Sequence, residues 1–115
     1  MKIIIGTIPH SEQRYDTVGD WQGMGQDFTI RVSESKDYRY NFLVAIHELV
    51  EVALCVQAGI HSGDVDAWDM KHDEAGDDPK APYHRQHLFA EAIERLIALE
   101  MGVRWDIYES ALDAL

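Results

Sequence analysis

His47, Glu48 and Glu51 sit in the middle of the apolar run 42–57, FLVAIHELVEVALCVQ. Placed on a helix at about 100° per residue with His47 at zero, Glu51 falls at about 40° and Glu48 at about 100°, so the three share one sector. Leu43, Val44, Val50 and Leu54 stand near them, and Ala45, Ile46, Leu49, Val52, Ala53 and Val56 occupy the remaining sides. The run therefore predicts a helix with little surface meant for water. Ionisable groups in such a helix are costly to bury unless they are paired, hydrogen-bonded or bound to a metal. His47 and Glu51, four residues apart, point the same way across one turn and can share a cation. Glu48 follows the histidine directly, where the helical motif HExxH has the general base that activates metal-bound water. HELVE carries Glu51 in place of the second histidine of that motif. The exchange keeps a ligand at that position but adds negative charge, which lowers the Lewis acidity of zinc and admits manganese or iron.

A catalytic metal needs three protein ligands and an open position, so a third ligand must come from elsewhere. His84 and His87, three residues apart on a later helix, are the first candidates, and His87 to Glu91 repeats the His-x-x-x-Glu spacing. Asp66, Asp69 and His72 are weaker ones, because carboxylates this dense in sequence usually form a hydrated face. His61 and His10 read as surface residues. The same residues also admit metal-free readings. Arg14, Arg39 or Arg85 would satisfy His47 and Glu51 in an internal hydrogen-bonded network, and a solvated helix side with a Glu91–Arg95 ion pair would account for His84 and His87. The expected cofactor is a divalent metal ion, zinc first, with manganese and iron as alternatives.

The groups must be positioned by a chain of 115 residues, 46% hydrophobic, which predicts one domain over 1–115 with a real core. Residues 2–8 are β-branched and stopped by Pro9, as in a strand buried on both faces. Residues 10–25 read as a long loop whose His10, Arg14, Asp20 and Trp21 can rim a pocket. Residues 27–33 alternate Phe28, Ile30 and Val32 with polar neighbours, predicting a strand with one wet face that pairs antiparallel with the first. Asp37 caps the central helix, 38–57, and Ala58-Gly59 ends it. The acidic stretch 62–78 holds Asp64, Asp66, Asp69, Asp73, Glu74, Asp77 and Asp78 against Lys71 alone. It predicts a short helix anchored by Val65, Trp68 and Met70, followed by a loop over 74–80.

Pro82 opens a second long helix that runs to Glu100 and closes at Gly102. Its apolar face is Leu88, Phe89, Ala92, Ile93, Leu96 and Leu99; its polar sector is His84, His87, Glu91, Glu94 and Arg95. The tail, 105–115, predicts a last short helix docking Trp105, Ile107, Tyr108 and Leu112. The class is thus α+β: a small antiparallel β-hairpin sheet on a buried central helix, with a second long helix and a short C-terminal helix.

A net charge of −11 argues against binding a nucleic-acid backbone and suits a cation site or a basic host protein. Cys55 is the only cysteine, so no internal disulfide forms, and its apolar surroundings predict a buried thiol. A reducing, cytoplasmic setting fits. The start of the chain lacks a signal-type apolar run, and no run reads as a membrane span.

Two strands, the HELVE helix and a His-bearing helix resemble a minimal zincin over about half the chain. That resemblance implies His47 as first zinc ligand and Glu48 as base; Glu51 at the second ligand position departs from ordinary zinc peptidases. The whole sequence is similar to small proteins of tailed phages and prophages in IPHSEQRYDTVGDW, LVAIHELVE, GDDPKAPYHRQH and IERLIALEMGVRW. This likeness implies a phage protein in the host cytoplasm and carries no activity. The expected function is a metal-binding protein acting as a small metal-dependent hydrolase. Two alternatives stay open. One is an acidic interaction protein that mimics DNA or binds a basic host factor through 64–78. The other is a magnesium-dependent nucleotide pyrophosphatase, because Glu48/Glu51 and Glu91/Glu94 resemble the paired helical carboxylates of those enzymes.

Overall fold

The structure, a computed structural model, describes residues 1–73 and 75–115; Glu74 of the acidic stretch lies outside the described residues. The elements are β1 (Lys2–Ile8), β2 (Gly19–Met24), β3 (Asp27–Ser33), α1 (Tyr38–Gln57), α2 (Ser62–Asp69), α3 (His84–Glu100) and α4 (Trp105–Asp113). Single 3-10 turns lie at His10–Glu12 and Ala75–Asp77, the second where a loop was expected. The class is α+β, with the sheet in the order β1-β3-β2. β3 follows its alternation: Ile30 and Val32 are fully buried in the core beside Leu43, Val44 and Val52 of α1.

Three expectations for the sheet are overturned. The hairpin joins β2 to β3, with Gly19 opposite Val32 and Met24 opposite Asp27, and turns at Gly25, whose φ of 63° suits glycine. Segment 10–25 is therefore part strand. β1 lies on the other side of β3 and runs parallel to it, Lys2 beside Asp27 and Ile8 beside Ser33. Nor is β1 buried on both faces: as an edge strand away from the helices it leaves Ile3, Ile4 and Ile5 about half exposed. β2 escapes sequence reading because GDWQGM holds two glycines and an aspartate. Those glycines make room for neighbours. A Cβ at Gly19 would press on Val44 and the Glu48 carboxylate, and one at Gly23 on the Phe28 ring.

α1 begins at Asp37, whose carboxylate accepts the Arg39 backbone N–H at 3.0 Å. It ends before Gly59, at φ 75°. Its buried side carries Leu43, Val44, His47, Glu48, Glu51, Val52 and Cys55. Burial is not all-round, however: Tyr38, Phe42, Leu49, Ala53 and Val56 face outward. α1 also has the length and composition of a bilayer span, contrary to the sequence reading, but His47, Glu48 and Glu51 at its centre are held inside the fold.

α3 lies antiparallel to α1, since His47 meets Glu94 while Glu51, one turn later, meets His87, two turns earlier. It packs the opposite way from its amphipathic pattern. Ala90, Glu94 and Ala98 are buried, whereas Leu88, Phe89, Ala92, Leu96 and Leu99 are exposed. Two alanines on the inner side let the helices approach closely. α2 buries Val65 and half-buries Trp68 but leaves Met70 exposed, and α4 buries Tyr108 with Trp105 and Leu112 packed partly beneath, while Ile107 points out.

Candidate metal centre

The inward polar stripe of α3 faces the ionisable sector of α1. His47 Nε2, Glu51 Oε2 and His87 Nδ1 form a triangle with edges of 3.1, 3.0 and 3.2 Å. These three residues form a group able to hold a metal ion. Donors about 2.0–2.1 Å from a tetrahedral zinc stand roughly 3.3 Å apart, so the triangle has to open by only a few tenths of an ångström.

Each member is also held from behind. His47 Nδ1–H donates to Glu94 Oε1 at 2.7 Å, His87 Nε2–H to Asp77 Oδ1 at 3.2 Å, and Trp21 Nε1–H to Glu51 Oε1 at 3.1 Å. Glu94 is fixed in turn by the Tyr108 hydroxyl, which donates to its second oxygen. Because a carboxylate only accepts, these bonds put protons on the far ring nitrogens and turn His47 Nε2 and His87 Nδ1 toward Glu51.

The electrostatics suit a cation. Burial would lower the His47 imidazole, but its hydrogen bonds to Glu51 and Glu94 outweigh burial and hold its pKa at about 11. His87 is raised for the same reason, burial being outweighed by Glu51. Burial pushes the Glu51 carboxyl up, yet the two histidines bring it down to about 2. Protons on the histidines thus do part of a cation's work. Glu48 differs. It is buried, no described side chain hydrogen-bonds to it, and burial followed by the charge of Glu51 lifts its carboxyl well above the usual range.

The cluster lies on a cavity of about 490 Å³ lined also by Tyr15, Asp20, Trp21, Asp69, Asp77 and Tyr83. Segment 10–18 braces this wall. Arg14 grips Asp20 through Nε at 2.7 Å and Nη2 at 2.8 Å, and Asp66 of α2 through Nη2 at 3.0 Å. The Tyr15 and Tyr83 hydroxyls both donate to Asp69, whose carboxyl is raised by burial in spite of them.

Of the expected ligands, His47, Glu51 and His87 come together and His84 does not. His84 Nδ1–H donates to the Gly76 carbonyl at 2.8 Å, steadying the turn that lies against His87. Asp66 is taken by Arg14, Asp69 by the tyrosines; His72 stacks on Trp68, and His61 precedes α2. His10 lines the cavity and bonds Ser33, and of the predicted rim residues Asp20 and Trp21 join it there while Arg14 stands behind. Two of the arginines expected in a metal-free network are engaged elsewhere, Arg14 on Asp20 and Arg39 on Asp37. The Glu91–Arg95 pair does form, at 3.7 Å, on the outer flank. Sequence reading missed the supporting roles of Trp21, Asp77 and Glu94; the one available signal was that Glu94 lies seven residues after His87, on the same helix face. Comparison with known proteins found no matching family model, curated protein or solved structure.

Proposed function

We propose that the protein binds a divalent metal ion through His47 Nε2, Glu51 Oε2 and His87 Nδ1 and uses it for hydrolysis. The observation that carries this reading is the convergence of three donor atoms whose opposite atoms are each held by Glu94, Trp21 or Asp77. Such outer partners orient metal ligands and tune their basicity. Two imidazoles and one carboxylate suit zinc with a fourth position left for water, and the added negative charge also suits manganese or iron. Glu48 lines the same cavity without a partner of its own; the positive charge of a bound ion would favour its ionised form, and that carboxylate would then be the base that takes a proton from water. The resemblance of HELVE to the zincin helix supports the same assignment in a phage-encoded hydrolase. The acidic-interaction reading has less behind it, because Asp66 and Asp69 of the acidic stretch are bonded inward. The pyrophosphatase reading is weakened because Glu94 is occupied by His47 and Tyr108.

Elemental analysis of protein purified without a histidine tag is expected to find one metal per chain, lost in His47→Ala and in His87→Ala. A folded wild type that neither carries nor takes up metal would overturn the proposal. Glu48→Gln is expected to keep the metal and abolish turnover of a panel of ester, peptide and phosphoester substrates. Turnover by Glu48→Gln at the wild-type rate would remove Glu48 from the chemistry.

A further inference from the structure

Asp69, the last residue of α2, lines the cavity of the candidate metal centre. Two neutral donors hold its carboxylate still: the Tyr15 hydroxyl, 2.9 Å from Oδ2, and the Tyr83 hydroxyl on Oδ1. A carboxylate has about four acceptor sites, so about two remain open. Its charge is also unanswered. Among the described residues no lysine or arginine lines the cavity, and Arg14 behind the wall is engaged with Asp20 and Asp66. A second carboxylate on the same wall lacks a partner as well: Glu48 is 9% exposed, and no described donor bonds to it. Buried carboxylates left in this way call for positive charge from a ligand.

The proposed ion answers only part of that call. A divalent ion on Glu51 and two neutral imidazoles leaves a surplus positive charge that Glu48 balances, and Asp20 is balanced by Arg14. Asp69 remains, with Asp16, Asp73, Asp77 and Asp113 exposed among the lining residues. Away from the ion, an anionic substrate meets only like charge, whereas an ammonium or guanidinium finds a fixed acceptor. The surroundings suit the stem of such a group. Tyr15, Trp21 and Tyr83 supply aromatic wall in a cavity of about 490 Å³, the size of a small-ligand site. Tyr83 also joins Asp69 to the metal centre, because its ring stands edge-on to the His87 ring with centroids 6.3 Å apart.

We propose that the substrate is cationic: an amide or ester carrying an ammonium or guanidinium group on an aliphatic stem, which Asp69 receives between Tyr15 and Tyr83 while the carbonyl lies at the ion. The bond broken rests on the hydrolase reading above. Water adds its oxygen to the carbonyl carbon, the bond to the amine or alcohol breaks, and a proton passes to that leaving group. Phosphoesters are expected to fail as substrates.

Titration calorimetry on the full chain, zinc-loaded and chelator-treated, compares Nα-acetyl-lysinamide and Nα-acetyl-argininamide with the uncharged Nα-acetyl-norleucinamide. At least one cation is expected to bind about tenfold or more tighter than the neutral analogue, the range of one hydrogen bond to a charged group. The tighter of the two distinguishes ammonium from guanidinium. Asp69→Asn is expected to abolish the preference and keep the wild-type zinc content. Asp16→Asn and Asp73→Asn, at exposed and screened positions, are expected to leave it within about twofold. Equal binding of all three ligands by the wild type, or none, would overturn the proposal. So would an Asp69→Asn variant, folded by circular dichroism, that keeps the preference, or a second equivalent of zinc lost in Asp69→Asn. The wild-type comparison stands even if that variant misfolds. Failure of the two readings is separable: a chain that takes up no zinc but prefers the cations loses the hydrolase and keeps the subsite, and a zinc-loaded chain without the preference does the reverse.

Discussion

Both ring nitrogens of His47 are committed, Nδ1 to Glu94 and Nε2 to the Glu51–His87 pair. Glu94 therefore decides which nitrogen carries the fixed proton and which faces the proposed ion, though it never contacts the ion itself. Glu94→Gln keeps the shape and its amide oxygen can still accept the His47 Nδ1–H, while its amide nitrogen can only donate to the Tyr108 hydroxyl oxygen, and it removes the charge that makes His47 a better donor. Its metal affinity is expected to fall by about 10- to 100-fold, the range found when an outer carboxylate is lost. Competition against a chelating dye measures this. A smaller drop is expected for Tyr108→Phe, which frees one oxygen of Glu94 and leaves its bond to His47. If Glu94→Gln lowers the melting temperature but leaves metal affinity unchanged, Glu94 is a packing residue and the outer-shell assignment fails.

Elements place the cluster through small residues that sequence reading passes over. The turn Ala75–Asp77 is pinned by the Trp68 indole N–H, which donates to the Ala75 carbonyl at 3.0 Å, and by His84 on Gly76. Gly76 is buried against the His87 ring, so that a Cβ there would occupy the ring's place. Gly76→Ala is expected to displace His87 and weaken metal binding at least tenfold with helix content unchanged, as titration calorimetry and circular dichroism would show; unaltered binding would mean that His87 is not a ligand. The contrast with what the sequence made legible is physical. Asp37 as cap, the alternation of β3 and the one-turn spacing of His47 and Glu51 are local signals, and each holds in the structure. β2 is invisible locally, because Gly19 and Gly23 serve contacts with Glu48 and Phe28 from distant parts of the chain. The orientation of α3 misleads for another reason: an amphipathic pattern assumes that the core is the only apolar environment, and here the inner side is taken by His87 and Glu94.

For the molecule as a whole, the metal-free state depends on protons, and the sign of its pH dependence can be worked out. His47 is raised from 6.5 to about 11, so its stabilisation is complete below 6.5 and is lost as pH rises toward 11. Glu48, raised above its ordinary 4.5 by burial and by Glu51, acts in the same direction: its neutral form favours the fold, and that contribution disappears as pH rises through its elevated value. Glu51, lowered from 4.5 to about 2 with burial outweighed by the histidines, contributes above 4.5 and loses its contribution as pH falls toward 2. His47 and Glu51 alone would hold metal-free stability level between 4.5 and 6.5, and Glu48, whose contribution declines from 4.5 upward, moves the maximum to the acid end of that interval. A metal ion reverses the upper limb, because it needs His47 Nε2 without its proton and binds more tightly as that proton becomes easier to remove. At 100 times its dissociation constant the ion adds about 2.7 kcal/mol, which for a chain of this length is roughly a 10 °C rise in melting temperature. Melting scans in chelator are therefore expected to fall between about pH 6 and about pH 8.5, while the gap between zinc-loaded and chelator-treated protein widens over the same interval. A gap that stays constant would mean that proton and metal do not compete for His47, and the assignment of its Nε2 as a ligand atom would not survive.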